Sequence, residues 1–351
     1  MDRDPAAPAE GEDVAEVSLA KLLLFPDKLA ALQAPGADPV FPVSVELSLT
    51  SQCPQRCLWC SDRALRARSP DRLSLALLER LFEDLARGGT QGVTLEGGGE
   101  PTMSPLFPAA ARAARARGLA VGLITNGLNL FRPGLALSDY RDFEWIRVSL
   151  DATGPETYQA LKGTDGFGTV LANLARLAAL RPALTLGAGY VLTNRNDQPE
   201  ALAGLAETLR NLGLDYLQVR PVVDHPALAS RRDLGFLRTI GNFSVNLAAL
   251  ADNAVSGNGN LPCLAHSLSS VIGADGLVWL CGRLNASPAA RPLGDLARAG
   301  FAEIWAGEER RRQADLAASA EFCQTHCPPC RLTKYNRLLH GLARLRTRHF
   351  I

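Results

Sequence analysis

At 351 residues and 47% apolar composition, the chain carries material for a sizeable core, in one large domain or a main domain with a smaller one, and wholesale disorder is excluded. A formal charge of +1, with arginines scattered rather than gathered into a stripe, gives no electrostatic reason to expect nucleic acid. The first thirteen residues are polar and acidic, and no later apolar run approaches membrane-spanning length, so the expectation is a cytoplasmic chain with no membrane partner.

Residues 1–43 read as a lead-in: a polar tail, a short helix within 14–32, then a Gly/Pro-containing connection. From 44 to 220 strand-like and helix-like segments alternate. Strands are predicted at 44–49, 92–95, 120–125, 145–150, 185–191 and 216–220. Between them, Leu77, Leu78, Leu81, Phe82 and Leu85 recur at the spacing of a helix face. So do Phe167, Val170, Leu174 and Leu177, and then Leu202, Leu205, Leu209 and Leu212. Six strand–turn–helix units imply an α/β fold with a mainly parallel sheet; eight would close a full barrel, and six leave a partly open (β/α)6 barrel. Its active-site residues belong at the carboxyl ends of the strands. Residues 221–262 read as a linker or substrate-facing segment, with Arg231, Arg232 and Asp233 in a loop and a Gly/Asn-rich turn towards 260. Residues 263–351 read as a small α+β metal-binding domain with a hairpin around Ala274-Asp275-Gly276 and a helix near 296–313.

The eight cysteines fall into two groups about two hundred residues apart, a pattern of metal ligation rather than of a disulfide scaffold. Cys53, Cys57 and Cys60 follow the first strand on one loop. A cubane iron–sulfur cluster has four irons, so three thiolates leave one iron open to a chelating small molecule. A three-cysteine zinc site with a distant fourth ligand is the competing reading. With Trp59 just ahead of the last cysteine, the spacing resembles the radical S-adenosylmethionine (SAM) superfamily, and the resemblance continues for most of the chain. It implies a [4Fe–4S] cluster whose open iron chelates the amino and carboxylate groups of SAM, and a 5′-deoxyadenosyl radical released on reductive cleavage. The turn after the second strand, with Gly97, Gly98, Gly99 and Glu100, lets a ligand approach the backbone closely. It resembles the family segment beside the methionine amino group. Thr125, Asn126, Ser149 and Asp151 end the third and fourth strands; by the same resemblance Asn126 and Ser149 contact the ribose or carboxylate, while Asp151 faces either cofactor or substrate. Gln218 and Arg220 on the sixth strand, and Asn194 and Arg195 after the fifth, face the pocket or the surface.

The second group is Cys263, Cys281, Cys323, Cys327 and Cys330. Zinc is again a competing reading, with His266 or His326 as added ligands. The spacing resembles the auxiliary-cluster (twitch or SPASM) domain of some radical enzymes, which implies a second [4Fe–4S] cluster. Five cysteines exceed one cubane by one, and a Cys327–Cys330 pair would leave Cys323 over. The spare thiol is inert, replaces an open ligand, or donates a hydrogen atom to a substrate radical.

The resemblance implies a substrate between barrel and auxiliary domain, and either epimerisation or alcohol dehydrogenation. Asp224, His225 and His266 are candidate bases, with Tyr158 and Lys162 as candidate pocket-lining residues. Only residues 1–43 precede the first strand, too few for the leader-binding winged domain of many peptide maturases. That favours a sugar- or aminocyclitol-like small molecule from natural-product biosynthesis, aminoglycosides being the model, over a peptide. The non-enzymatic alternative is a metal-binding scaffold. No flavin or nicotinamide fingerprint is evident, so a flavodoxin or ferredoxin is the expected electron donor.

Overall fold

A computed structural model describes residues 19–32, 39–67, 70–240, 243–247, 261–285, 287, 289–319, 321–322, 330 and 332–344. Its strands are β1 Ser44–Leu47, β2 Gly92–Leu95, β3 Ala120–Thr125, β4 Trp145–Ser149, β5 Thr185–Leu192, β6 Tyr216–Pro221, β7 Thr239–Ile240, β8 Phe243–Asn246, β9 Ser269–Ile272, β10 Leu277–Trp279 and β11 Gly294–Asp295. Its helices are α1 Pro26–Leu32, α2 Arg63–Arg66, α3 Leu75–Arg87, α4 Phe107–Arg115, α5 Pro155–Lys162, α6 Phe167–Ala178, α7 Pro199–Asn211, α8 Phe301–Ala306, α9 Glu308–Ala318 and α10 Thr333–Ala343. Among the described residues no helix is long and apolar enough to cross a membrane.

The six predicted strands form, and β1 to β6 pair in parallel in sequence order. Helices form where the apolar spacing and the caps agree. Ser74 accepts the Leu77 N–H ahead of α3 at 3.3 Å, and Leu77, Leu78, Leu81, Phe82 and Leu85 are buried. One set of alternating strand residues, among them Val45, Leu47, Val93, Leu95, Ile146, Val148, Leu217 and Val219, joins the helices in one continuous core. The opposite set, including Glu46, Ser48, Glu96, Arg147, Ser149, Gln218 and Arg220, lies on the inner face of the sheet. The sheet is therefore a partly open barrel with a polar interior.

The region expected to be a linker adds strands. β8 lies parallel to β6, with Tyr216 opposite Ser244, and β7 pairs antiparallel with β8. The Gly/Asn-rich turn at 248–260 lies outside the described residues. The expected hairpin forms as β9 and β10, but it does not stand apart from the barrel. β9 runs parallel beside β1, with Ser44 opposite Ser269, giving one 11-stranded sheet in the order β11-β10-β9-β1-β2-β3-β4-β5-β6-β8-β7. The physical reason is the unpaired edge that an open barrel leaves on β1, whose N–H and C=O groups the hairpin satisfies. The helix expected near 296–313 is two helices, α8 and α9, meeting at Gly307. In the lead-in, Leu22 packs with Ala265, Leu268 and Leu339 in a second, smaller core.

Candidate active site and metal-binding segments

The loop leaving β1 carries Cys53, Cys57 and Cys60, all half-buried free thiols. It is short of regular structure and is held from outside. On one side Asp71 accepts from Thr50 Oγ1 at 2.5 Å and from the Ser51 N–H at 2.7 Å. On another, two arginines of α2 take its carbonyls: Arg63 reaches Cys57 O at 2.6 Å, and Arg66 reaches Ser51 O at 3.1 Å. On the third, α5 offers its last carbonyls, Leu58 N donating to Leu161 O at 3.1 Å and Arg56 N to Lys162 O at 2.9 Å. Buried Gln55 donates to the Tyr158 hydroxyl at 2.6 Å.

This donor set fits an iron–sulfur cluster. Burial pushes the Cys57 thiol up to about 11 and raises that of Cys53 as well, so each sulfur keeps its proton unless a metal replaces it. Among the described residues no three His, Cys, Asp or Glu side chains close on a single-ion position. A cubane spreads its thiolates over separate irons, which three cysteines on one loop can serve.

The glycine turn packs directly on this loop. Gly99 N donates to Thr50 O at 2.8 Å and Glu100 N to Gln52 O at 2.7 Å. A Cβ on Gly99 would lie 2.1 Å from Gln52 O, and Gly97 and Gly98 hold left-handed φ values of 68° and 55°. The glycines thus serve the fit between two backbone segments. Glu100 is spoken for within the protein: Oε1 accepts from Thr102 Oγ1 at 2.7 Å and Thr125 Oγ1 at 2.6 Å, and Oε2 from the Asn126 N–H at 2.7 Å. Its carboxylate is a strut between the turn and the end of β3, and its carbonyl accepts from the Met103 N–H at 2.9 Å.

At the other strand ends, Asn126 Nδ2 points at Cys53 Sγ at 3.8 Å while its Oδ1 caps the Leu128 N–H at 2.9 Å. Ser149 is half-buried on the inner face, and its carbonyl accepts from Lys162 Nζ at 3.0 Å. Asp151 and Lys162 form a fully buried ion pair, so Asp151 does not present a free carboxylate to substrate. Gln218 Oε1 accepts from buried Arg147 at 2.8 Å on the inner face, and Arg220 is half-buried two residues on. Asn194 instead pins the turn after β6, donating to Ala227 O at 3.0 Å.

In the C-terminal segment, burial pushes the Cys281 thiol up to about 11, and the nearby Cys330 adds to the effect. Cys263 packs between the two cores. Asn336 on α10 holds its chain segment: Oδ1 accepts from Leu264 N at 2.6 Å and Ala265 N at 3.2 Å, and Nδ2 donates to Pro262 O at 2.9 Å. Cys323, Cys327 and His326 lie outside the described residues.

Two domain families match the chain. The model of the radical SAM superfamily matches residues 47–218, and the iron–sulfur cluster-binding SPASM model matches residues 263–331. The chain belongs to the radical SAM superfamily. It is 29% identical to a PqqA peptide cyclase of Ruegeria pomeroyi over 194 residues, covering 55% of this chain and 50% of that one. It is 31% identical to a GTP 3′,8-cyclase of Synechococcus elongatus over 188 residues, covering 52% and 56%. The chain thus spans about half the length of the curated relatives it matches. In fold it resembles Streptococcus suis SuiB bound to the precursor peptide SuiA, with a TM-score of 0.63 at 12% identity, covering 92% of this chain and 80% of that one.

The radical SAM and SPASM domains bring SAM and [4Fe–4S] cofactors, one cluster binding SAM and the other auxiliary. Cys53, Cys57 and Cys60 are the candidate ligands of the first, with half-buried Trp59 between the last two; Cys263, Cys281 and Cys330 are the described candidates for the second. The candidate bases are placed differently from expectation. Asp224 forms an ion pair with Arg283, two residues after Cys281, at 3.0 Å, and so ties the loop after β6 to the SPASM segment. His266 is buried ahead of β9, a strand length from the cysteine loop, and desolvation followed by the Arg310 charge lowers it to about 3, too low for a base at neutral pH. His225 is half-buried, its carbonyl accepting from Leu228 N at 2.9 Å. Sequence reasoning missed Arg63, Arg66, Asp71 and Asn336; Arg66, Asp71 and Asn336 act on groups distant in sequence, Arg63 on carbonyls of the loop just ahead of it, and no local pattern marks such contacts.

Proposed function

We propose that this chain is a radical SAM enzyme that modifies a peptide. The observation that carries the substrate class is the likeness of the chain to a PqqA peptide cyclase over 194 residues, supported in fold by the SuiB–SuiA complex. What bound SAM and the cluster supply is a 5′-deoxyadenosyl radical for hydrogen abstraction. The chain's part is to hold the cysteine loop from three sides, to keep the SAM-facing turn against it through Gly99 and the Glu100 strut, and to offer a polar inner face. Backbone amides of a peptide suit a polar inner face of this kind. The electron donor in this reading is a flavodoxin or ferredoxin.

The sugar- or aminocyclitol-like substrate expected from the sequence gives way to the peptide reading on that likeness. A small substrate keeps one supporting observation, the likeness to a GTP 3′,8-cyclase. The test is anaerobic turnover of the reconstituted protein with SAM and dithionite. The probes are synthetic peptides encoded by short reading frames beside its gene and, in parallel, 2-deoxystreptamine-type aminocyclitols and GTP. Deoxyadenosine formation coupled to a mass change in a peptide supports the proposal. Turnover of an aminocyclitol or GTP with every peptide unchanged overturns it. Loss of two hydrogens indicates cross-linking or dehydrogenation, and deuterium uptake from deuterated water without other change indicates epimerisation.

A further inference from the structure

We propose that Lys162, locked in place by Asp151, is a positioning residue for the SAM-binding cluster, holding Cys57 through its backbone and favouring uptake of the electron through its buried positive charge. The proposal rests on the reading of Cys53, Cys57 and Cys60 as cluster ligands.

The geometry is unusual for a lysine. Its Nζ is bonded to Asp151 Oδ2 and to Ser149 O at 3.0 Å, with both side chains of the pair 2–3% exposed. Burying a charged pair is costly, and one that persists has either excellent partners or a task. The partners are good here: Asp151 Oδ1 also accepts from the Val191 N–H at 2.6 Å, and the Asp151 carbonyl accepts from Asn196 Nδ2 at 2.9 Å. Asp151 adopts φ 57°, a left-handed backbone that a non-glycine residue keeps only when its surroundings over-determine it.

The same residue reaches the cysteine loop. Lys162 O accepts from Arg56 N at 2.9 Å, and its neighbour Leu161 O accepts from Leu58 N at 3.1 Å, so the two bonds bracket Cys57. Helix α5 ends at this point because Gly163 takes φ 69°, its N–H returning to Gln159 O; a Cβ there would press on Arg56 Cβ at 3.1 Å. The ammonium lies within electrostatic reach of Cys57 and Cys53. A cubane on three thiolates gains one negative charge when it takes one electron from an external low-potential donor of flavodoxin or ferredoxin type, with no proton required. A fixed buried cation beside it stabilises the reduced form over the oxidised one.

The test compares anaerobically reconstituted wild type, Lys162→Arg, Lys162→Met and the double variant Lys162→Met/Asp151→Asn. The readouts are iron per chain and the midpoint potential from an EPR-monitored redox titration. Lys162→Arg is expected to keep both values. Lys162→Met is expected to lower the reduced-to-oxidised ratio at the wild-type midpoint on the order of tenfold, the scale of one charge at close range in a protein interior. Should the stranded Asp151 charge unfold that variant, the double variant removes the stranded charge. It is expected to keep its iron and to show a smaller shift of the same sign. A double variant with wild-type potential overturns the proposal alone, as does an arginine variant with the potential of the methionine variant. Wild type that takes up no cluster at Cys53, Cys57 and Cys60 overturns the cluster reading and the proposal together.

Discussion

Replacing Glu100 by glutamine separates two roles for the glycine turn. In the folded chain, Oε2 takes the Asn126 N–H at 2.7 Å, and Oε1 takes the Thr102 and Thr125 hydroxyls and, at 3.2 Å, the Thr102 N–H. Glutamine can keep its carbonyl on the threonine side, but its amide then faces the Asn126 N–H donor to donor. One charge-assisted bond is lost, about 1.5–3 kcal/mol, and a buried N–H is left without an acceptor at a further ~1–3 kcal/mol. The lower cost of burying a neutral side chain offsets part of this. A net loss of about 3 kcal/mol in unfolding free energy is expected, read by urea denaturation of the apo chain. Because the strut also places the turn proposed to face SAM, Glu100→Gln should weaken SAM binding to the reconstituted protein in the same measurement series. A variant with unchanged stability and lost SAM binding would refute the strut and restore Glu100 as a direct ligand contact.

Gly99→Ala puts a methyl group 2.1 Å from a backbone oxygen of the cysteine loop, which no side-chain movement relieves; about 3 kcal/mol of destabilisation and loss of iron at the first site are expected, checked by denaturation and iron assay. Asn336→Leu leaves Leu264 N and Ala265 N without their acceptor, about 1 kcal/mol each, while Pro262 O keeps its bond to the His340 ring. It should lower iron retention at the second site while SAM cleavage at the first persists. His266, at about 3 in the folded chain against 6.5 unfolded, is protonated more readily by the unfolded chain. Stability is therefore full above pH 6.5 and falls as pH drops towards 3, by about 2 kcal/mol at pH 5. The apo His266→Gln variant should lose that part of the dependence between pH 7 and 5 in urea titrations.

Much of the barrel was legible because its signals are local. The strands at 92–95 and 120–125 fall where apolar runs meet turn residues, and α3 falls where Ser74 precedes a 3–4 apolar repeat. The cysteine loop was legible because its ligands share one short segment. What stayed hidden depends on pairing across the chain. Nothing near Asp151 announces that Lys162 will neutralise it, nothing near Asp224 predicts Arg283, and nothing in the hairpin around Gly276 predicts a parallel partner in β1. Asp224 looks like a base in sequence because it follows the sixth strand, and His266 because it lies just beyond Cys263; the partner of one and the burial of the other are not visible there.

That pairing of β9 with β1 bears on how two clusters can serve one reaction. An open six-stranded barrel has two exposed edges, each a liability for a parallel sheet. Here β8 covers β6 and the SPASM hairpin covers β1, so the segment with Cys263 and Cys281 is built onto the strand that leads into Cys53. Arg283, just past Cys281, then reaches the loop after β6 through Asp224, held at φ 62°. The SPASM segment therefore touches the barrel at both of its free sides. In the proposed reading, a substrate on the inner face would be enclosed by strands whose ends carry Cys53, Cys57 and Cys60 and whose edge carries Cys263 and Cys281. Loosening either contact should disturb both sites at once, which makes the sheet itself the frame that sets their separation.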